Sequence, residues 1–157
     1  MNEETFAWFV GIDWGSEKHQ VCVLDQQGAV VGERSFPHSG AGLAELGDWL
    51  LAVAGAATAV AVAIEVPHGP VVDSLIDRGF MVHSINPKQL DRLRDRFSVA
   101  GAKDDRRDGY VLANRVRTDR RMLLTCGSSN CVRGRALPGN SASAGSAHTS
   151  CVKTQAA

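Results

Sequence analysis

Residues 59–66, Ala-Val-Ala-Val-Ala-Ile-Glu-Val, form an unbroken β-prone run whose single polar side chain is Glu65. A strand with one face in water alternates apolar and polar residues, whereas a run without alternation is expected of a strand buried on both faces. Such a strand needs neighbours in a sheet and a layer of structure above and below it. The rest of the chain supplies both. Phe6 to Trp14 and His19 to Asp25 are short apolar runs separated by Gly15-Ser16-Glu17 and read as paired strands. Gln26-Gln27-Gly28 is a turn, and Ala29 to Phe36 reads as a third, antiparallel strand. Ser39 can cap a helix in which Leu43, Leu46, Leu50 and Val53 recur at helical spacing. Pro70 opens a second helix that Gly79 closes, and Met81 to Ile85 is a fifth strand. Asn86-Pro87 is a cap and first-turn pair for a helix with Leu90, Leu93 and Phe97 as its apolar stripe, and Asp104 to Val116 reads as one more helix. The order β-β-β-α-β-α-β-α-α predicts an α/β fold: a mixed sheet with helices on both faces.

After about Thr125 the pattern breaks. Ser, Gly and Ala make up half of the last 32 residues, which hold no aromatic and no acidic side chain. Such a segment buries too little apolar area to offset the entropy of ordering it. The expected organisation is a domain over residues 1–121 and a nonconforming, disordered tail over 122–157, which an abrupt change of this kind would give if the reading frame had shifted. Cys126, Cys131, His148 and Cys151 in that tail are superficially four zinc ligands, but their spacing is wide and their surroundings supply almost no core.

With 17 basic and 17 acidic residues in 157, the formal net charge is zero, yet the charges are not mixed. Residues 1–85 hold 3 basic and 11 acidic side chains; residues 86–121 hold 11 basic and 6 acidic ones. Neutrality is therefore the sum of an acidic half and a basic helical segment, and it does not exclude a polyanionic partner. No apolar run reaches the ~18 residues of a membrane span, and the acidic start Met-Asn-Glu-Glu-Thr is unlike a secretory signal, so a cytoplasmic location is expected.

Two acids stand where apolar runs end. Asp13 closes Phe9-Val10-Gly11-Ile12-Asp13, and Glu65 closes the central run. If the two strands are neighbours, both carboxylates emerge near the middle of the sheet, where a shared site implies protonation or a metal ion. Asp105 and Asp108, three apart, project from one face of the last helix. Asp104 and Asp108, four apart, would also share a face, so spacing alone leaves Asp104 and Asp105 as alternatives. Four carboxylates without Cys or His suit Mg²⁺ or Mn²⁺ better than zinc, and two such ions could activate a nucleophile and stabilise the leaving oxygen of a phosphodiester. His38, His68 and His83 read as loop or strand residues, and Trp14 as packing.

Four motifs in order, Gly11-Ile12-Asp13-Trp14, Ile64-Glu65-Val66-Pro67-His68-Gly69, Ile85-Asn86-Pro87 and Lys103-Asp104-Asp105-Arg106-Arg107-Asp108, resemble the N-terminal domain of DEDD-type insertion-sequence transposases related to the Piv invertase. The likeness covers roughly residues 6–121. It implies an RNase H-like fold similar to the RuvC resolvase and a catalytic, metal-binding tetrad of Asp13, Glu65, Asp105 and Asp108 for two Mg²⁺ or Mn²⁺ ions. It also implies a DNA substrate, a structured guide RNA transcribed from the element, and homo-oligomers in the full-length family. Lys88, Arg92, Arg94, Arg96, Lys103, Arg106 and Arg107 fit a phosphate-facing surface beside that site; the alternative is a solvated helix face whose arginines pair with Asp91 and Asp95. Asp104 and Gly109 stand where the family usually has Thr or Ser and Ala. The family continues into a helical region and a domain with a nucleophilic serine, for which this chain has no room, so a truncated product is expected.

Three other readings compete. A stand-alone RuvC-like Holliday-junction resolvase would suit the size of the domain. A fragment that binds nucleic acid without cleaving it would suit the tail. Gly11-Ile12-Asp13-Trp14-Gly15-Ser16 also looks like a phosphate loop of the actin, Hsp70 and sugar-kinase fold, although a second phosphate loop is missing.

Overall fold

The computed structural model describes residues 5–97, 105–119 and 123–126, with the side chains of 93–97, 105, 106 and 124 left aside. Six strands form one sheet in the order β3-β2-β1-β4-β5-β6. β1 (Trp8–Asp13), β2 (Lys18–Leu24) and β3 (Val30–Pro37) make an antiparallel meander. β4 (Val60–Ile64) lies parallel to β1, and β5 (Met81–Ser84) lies parallel to β4. β4 is buried along its whole length, as its lack of alternation requires.

Helices cover both faces, and the side chains of β1 and β4 show which residues meet which layer. Val10, Ile12, Val60, Val62 and Ile64 pack with Leu43, Leu46 and Leu50 of α1 (Gly40–Ala54) and Val71, Val72 and Leu75 of α2 (Pro70–Asp77). Phe9, Ala61 and Ala63 pack on the other face with Leu90 of α3 (Pro87–Phe97) and Val111, Leu112, Ala113 and Val116 of α4 (Asp105–Asp119). Local chemistry sets the helix starts as the sequence predicts. The Gly42 N–H donates to Ser39 Oγ at 3.1 Å, and the Lys88 N–H donates to Asn86 Oδ1 at 3.0 Å.

The far edge of the sheet was not foreseen. β6 (Leu124–Thr125) pairs antiparallel with β5, and Leu123 and Cys126 are buried. The packed residues therefore reach beyond position 121, where composition alone would end the domain. A two-residue strand has no periodicity to read, and the residues flanking it, Leu123 and Cys126, join the cores on opposite faces of the sheet. Cys126 is buried; the other three tail residues of the zinc reading lie outside the described residues. A short 3-10 turn at Ala57–Ala59, also not foreseen, leads into β4.

α4 crosses the sheet at unusually short range. A Cβ on Gly11 would lie 1.9 Å from the Gly109 carbonyl oxygen and 2.5 Å from the Ala113 nitrogen, so the helix backbone rests directly on β1. A Cβ on Gly109 would make its tightest approach to the Cys22 Cβ, at 3.3 Å, a contact that a small shift relieves. Gly11→Ala is accordingly expected to cost about 3 kcal/mol or more, because the clash is with backbone, and Gly109→Ala about 1 kcal/mol. Urea unfolding of the two variants beside the wild type checks the difference; equal losses would refute the asymmetry.

Candidate functional site at the carboxyl edge of the parallel strands

Ile12 pairs with Ile64 in the parallel ladder, so the next residue of each strand, Asp13 and Glu65, stand side by side where the two strands end. Strand alternation carries Asp13 to the face of Phe9 and Gly11, and Glu65 continues the series of Ala61 and Ala63 on that same face. Both acids are thus on the side covered by α4, and both are half-buried. The pairing that the apolar runs led one to expect is present in the ladder.

The direction of α4 follows from its other end. Arg117 donates from Nη1 to the Gln26 carbonyl at 3.3 Å, and its guanidinium lies against Gly28, in the β2–β3 turn. Gln26 in turn donates from Nε2 to the Phe6 carbonyl at 3.2 Å, so the C-terminal end of α4 sits where β1 begins. Its N-terminal end, bearing Asp105 and Asp108, therefore points to where β1 ends. Asp108 precedes Gly109, which touches Gly11, and Asp13 lies two strand residues, or about 7 Å, beyond Gly11. Asp108 is half-buried.

Among the described residues no three His, Cys, Asp or Glu side chains are gathered closely enough to hold a metal ion. The side chain of Asp105 is outside that set, and Asp104 is outside the described residues altogether. What the fold supplies is the placement: two acids at one register step and a third on the helix crossing beside them. The donors are all carboxylates, the chemistry that hard divalent cations prefer.

The basic residues begin at the same edge. The Ile85 N–H donates to the Ile64 carbonyl at 2.9 Å, which carries the chain from β5 past Glu65 into α3. Lys88 and Arg92 on α3 and Arg107 on α4 are exposed. The side chains of Arg94, Arg96 and Arg106, and the whole of Lys103, lie outside the described residues. Arg115, by contrast, is paired with Asp119 on its own helix.

Beside Asp13 the β1–β2 loop carries a cluster that sequence reasoning passed over. His19 is fully buried; its Nδ1 accepts from the Gly15 N–H at 3.4 Å, and its Nε2 lies 2.8 Å from Nδ1 of His38. Trp14 leans on both rings, with centroids 6.3 Å and 6.2 Å away, yet stays 43% exposed. A Cβ on Gly15 would lie 2.3 Å from the Lys18 carbonyl oxygen, so this tight loop admits only glycine there. The available signal was an aromatic residue directly after a strand-end acid. His83 is buried on β5, with Nδ1 3.3 Å from Thr125 Oγ1, and His68 is exposed in a loop.

A mixed sheet with β1 at its centre, helices on both faces and acids at the carboxyl edge defines an RNase H-like α/β domain. A family model described as a transposase, of the IS110 DEDD type, matches residues 10–131, and the chain belongs to that family. A Sinorhizobium fredii protein with a transposase name, y4uE, is 57% identical over 115 residues, covering 72% of this chain and 32% of that protein. A Streptomyces coelicolor protein named as the mini-circle transposase of IS117 is 40% identical over 121 residues, covering 76% of this chain and 29% of that protein. The chain thus spans about a third of the length of these curated relatives. Among the described residues no helix is long and apolar enough to cross a membrane.

Burial, and secondarily the charge of His38, holds the His19 imidazole below its ordinary value of 6.5. The unfolded chain therefore takes a proton near pH 6.5 that the folded chain refuses, so stability present above that pH is lost as pH falls through 6.5 towards the lowered folded value. Between pH 7 and 5 the urea midpoint of the wild type is expected to fall further than that of His19→Gln. Parallel curves for the two would refute this role of His19.

Proposed function

We propose that this chain supplies the acidic catalytic domain of a DNA transposase, with Asp13, Glu65, Asp105 and Asp108 as its metal-holding carboxylates. The observation that carries the proposal is the convergence of Asp13, Glu65 and the N-terminal end of α4 at one edge of the sheet. Its support from outside the structure is membership of the transposase family.

The chemistry of the donor set fits Mg²⁺ or Mn²⁺. When bound, two such ions supply a Lewis-acidic clamp for the attacking and leaving oxygens of a phosphodiester. The protein's share is to place the carboxylates. Asp13 and Glu65 are fixed by the β1–β4 ladder, and Asp108 is fixed by the seating of Gly109 on Gly11. Asp105, one helical turn earlier, joins them by the family motif. The N-terminal half-charge of α4 also favours acids in its first turn.

DNA is the proposed substrate, with Lys88, Arg92, Arg94, Arg96, Lys103, Arg106 and Arg107 neutralising phosphates along α3 and the start of α4. A structured RNA made from the element and a second copy of the protein are the further partners that the family implies. Strand exchange also draws on the region of the relatives that this chain does not span.

Asp13→Ala and Glu65→Ala are expected to abolish Mn²⁺ binding in calorimetric titration while leaving circular dichroism and the unfolding midpoint near those of the wild type. Unchanged divalent binding in both variants would sink the site. Affinity of the wild type for branched DNA should fall steeply with salt, on the order of one power of the salt concentration per phosphate contacted. Salt-insensitive binding would remove the basic surface from the proposal.

A further inference from the structure

Trp14 follows Asp13 directly, just past the end of β1 on the α1 side of the sheet, and the fold spends several contacts on keeping it there. The loop that holds it closes through a glycine that no other residue can replace. The Gly15 N–H is tied to His19, the His38 N–H donates to the Glu17 carbonyl at 2.8 Å, and the two imidazoles are joined at 2.8 Å. The His19 and His38 rings meet edge-on, with centroids 4.9 Å apart, and Trp14 stands at 75° to His38. One side of the indole is therefore braced by a rigid aromatic pair. With 43% of its surface still in water, it is the one aromatic residue among the three large hydrophobic residues exposed in the described structure, and the other two, Val30 and Val31, lie on β3.

Full burial of this indole would remove more apolar area from water, and the loop holds it short of that. A braced indole half open to solvent is instead the arrangement of a stacking surface. Its neighbours narrow the class of ligand. The Trp14 Cα is about 3.8 Å from that of Asp13, but the indole, with His19 and His38, stands on the α1 side of the sheet while Asp13 faces α4, so a strand held at Asp13 would turn one base around the end of β1 to reach it. The exposed cations Lys88, Arg92 and Arg107 are carried by the helices that start at or point to the same edge. An aromatic face, carboxylates and cations together match a nucleic-acid strand in which one base has left the helical stack.

We propose that Trp14, braced by His19 and His38, is a stacking platform for an unpaired nucleobase next to the phosphodiester held at the Asp13–Glu65 edge. This rests on the nucleic-acid reading above and deepens it, by assigning a base-binding residue and a preference for distorted or unpaired DNA at the site. Stacking is indifferent to which base is present, so the platform selects structure and not sequence.

The experiment compares two fluorescent DNA junctions by anisotropy, with the full chain in Ca²⁺. One carries unpaired thymidines at the branch point, and the other carries abasic nucleotides at the same positions. The wild type is expected to bind the thymidine junction roughly 5- to 100-fold more tightly, the range of one base stacked on an aromatic side chain. Trp14→Ala should bind both junctions equally and as weakly as the wild type binds the abasic one, and Trp14→Phe should retain most of the preference. Circular dichroism confirms the fold of each variant. Equal binding of both junctions by the wild type, or equal loss on both in Trp14→Ala, overturns the platform and leaves the nucleic-acid reading standing. Absence of binding to either junction overturns that reading and the platform with it.

Discussion

The contact on which the rest of the structure depends is the seating of α4 on β1 at Gly11 and Gly109. Everything near that crossing is scaled to it. Ala61 and Ala63 on β4 and Ala113 on α4 are small, and Cys22 on β2 meets the helix with nothing larger than a thiol. Burial pushes that thiol up to about 12, with the Glu33 carboxylate adding to the effect, so it stays protonated and behaves as a small apolar residue. A larger side chain at Gly11 would lift α4 away and carry Asp108 off the edge where Asp13 and Glu65 stand. Packing and site geometry are the same constraint seen from two sides.

That constraint also explains how three acids with no local sequence unity are brought to one edge of the sheet. Asp13, Glu65 and Asp108 come from three segments of the chain. The parallel ladder fixes the first two to one register step, which a slip of a single residue would destroy by turning one acid to the opposite face. The third is fixed at two points, by the glycine contact near the start of α4 and by Arg117 at its other end, which binds the β2–β3 turn. The helix is thereby set in direction as well as in height.

Much of this could be read from residues alone. The placement of Glu65 was legible because turn chemistry rarely calls for Glu at the end of a non-alternating run, and that of Asp13 because its run ends in an acid too, although a lone Asp there is more often a turn or cap residue. Ser39 and Asn86 announced their helices through cap chemistry that depends on nearest neighbours only. The direction of α4 was not legible, because it rests on Arg117 and Gln26, residues 91 positions apart. β6 was invisible because two residues carry no period. Gly109 looked like a departure from the family's usual alanine, yet the structure holds space there for either, at the cost of a tight approach to Cys22. Trp14 was assigned to packing because aromatic residues in strand-rich sequence usually pack; its exposure depends on how the His19–His38 pair fills the ground beneath it.

The strand order has a consequence for how the molecule comes into being. During synthesis β1, β2 and β3 precede the rest of this sheet and can pair without it, since their ladder is antiparallel and local. Their α1 face is covered within the next 17 residues after β3, when Gly40–Ala54 appears. The other face, with Phe9, Gly11, Cys22 and Leu24, is covered only later, by Leu90 of α3 and then by α4. Asp108 is carried by the same helix that completes the cover of this face. Completing that side of the core and bringing Asp108 towards the other two acids are thus the work of one helix.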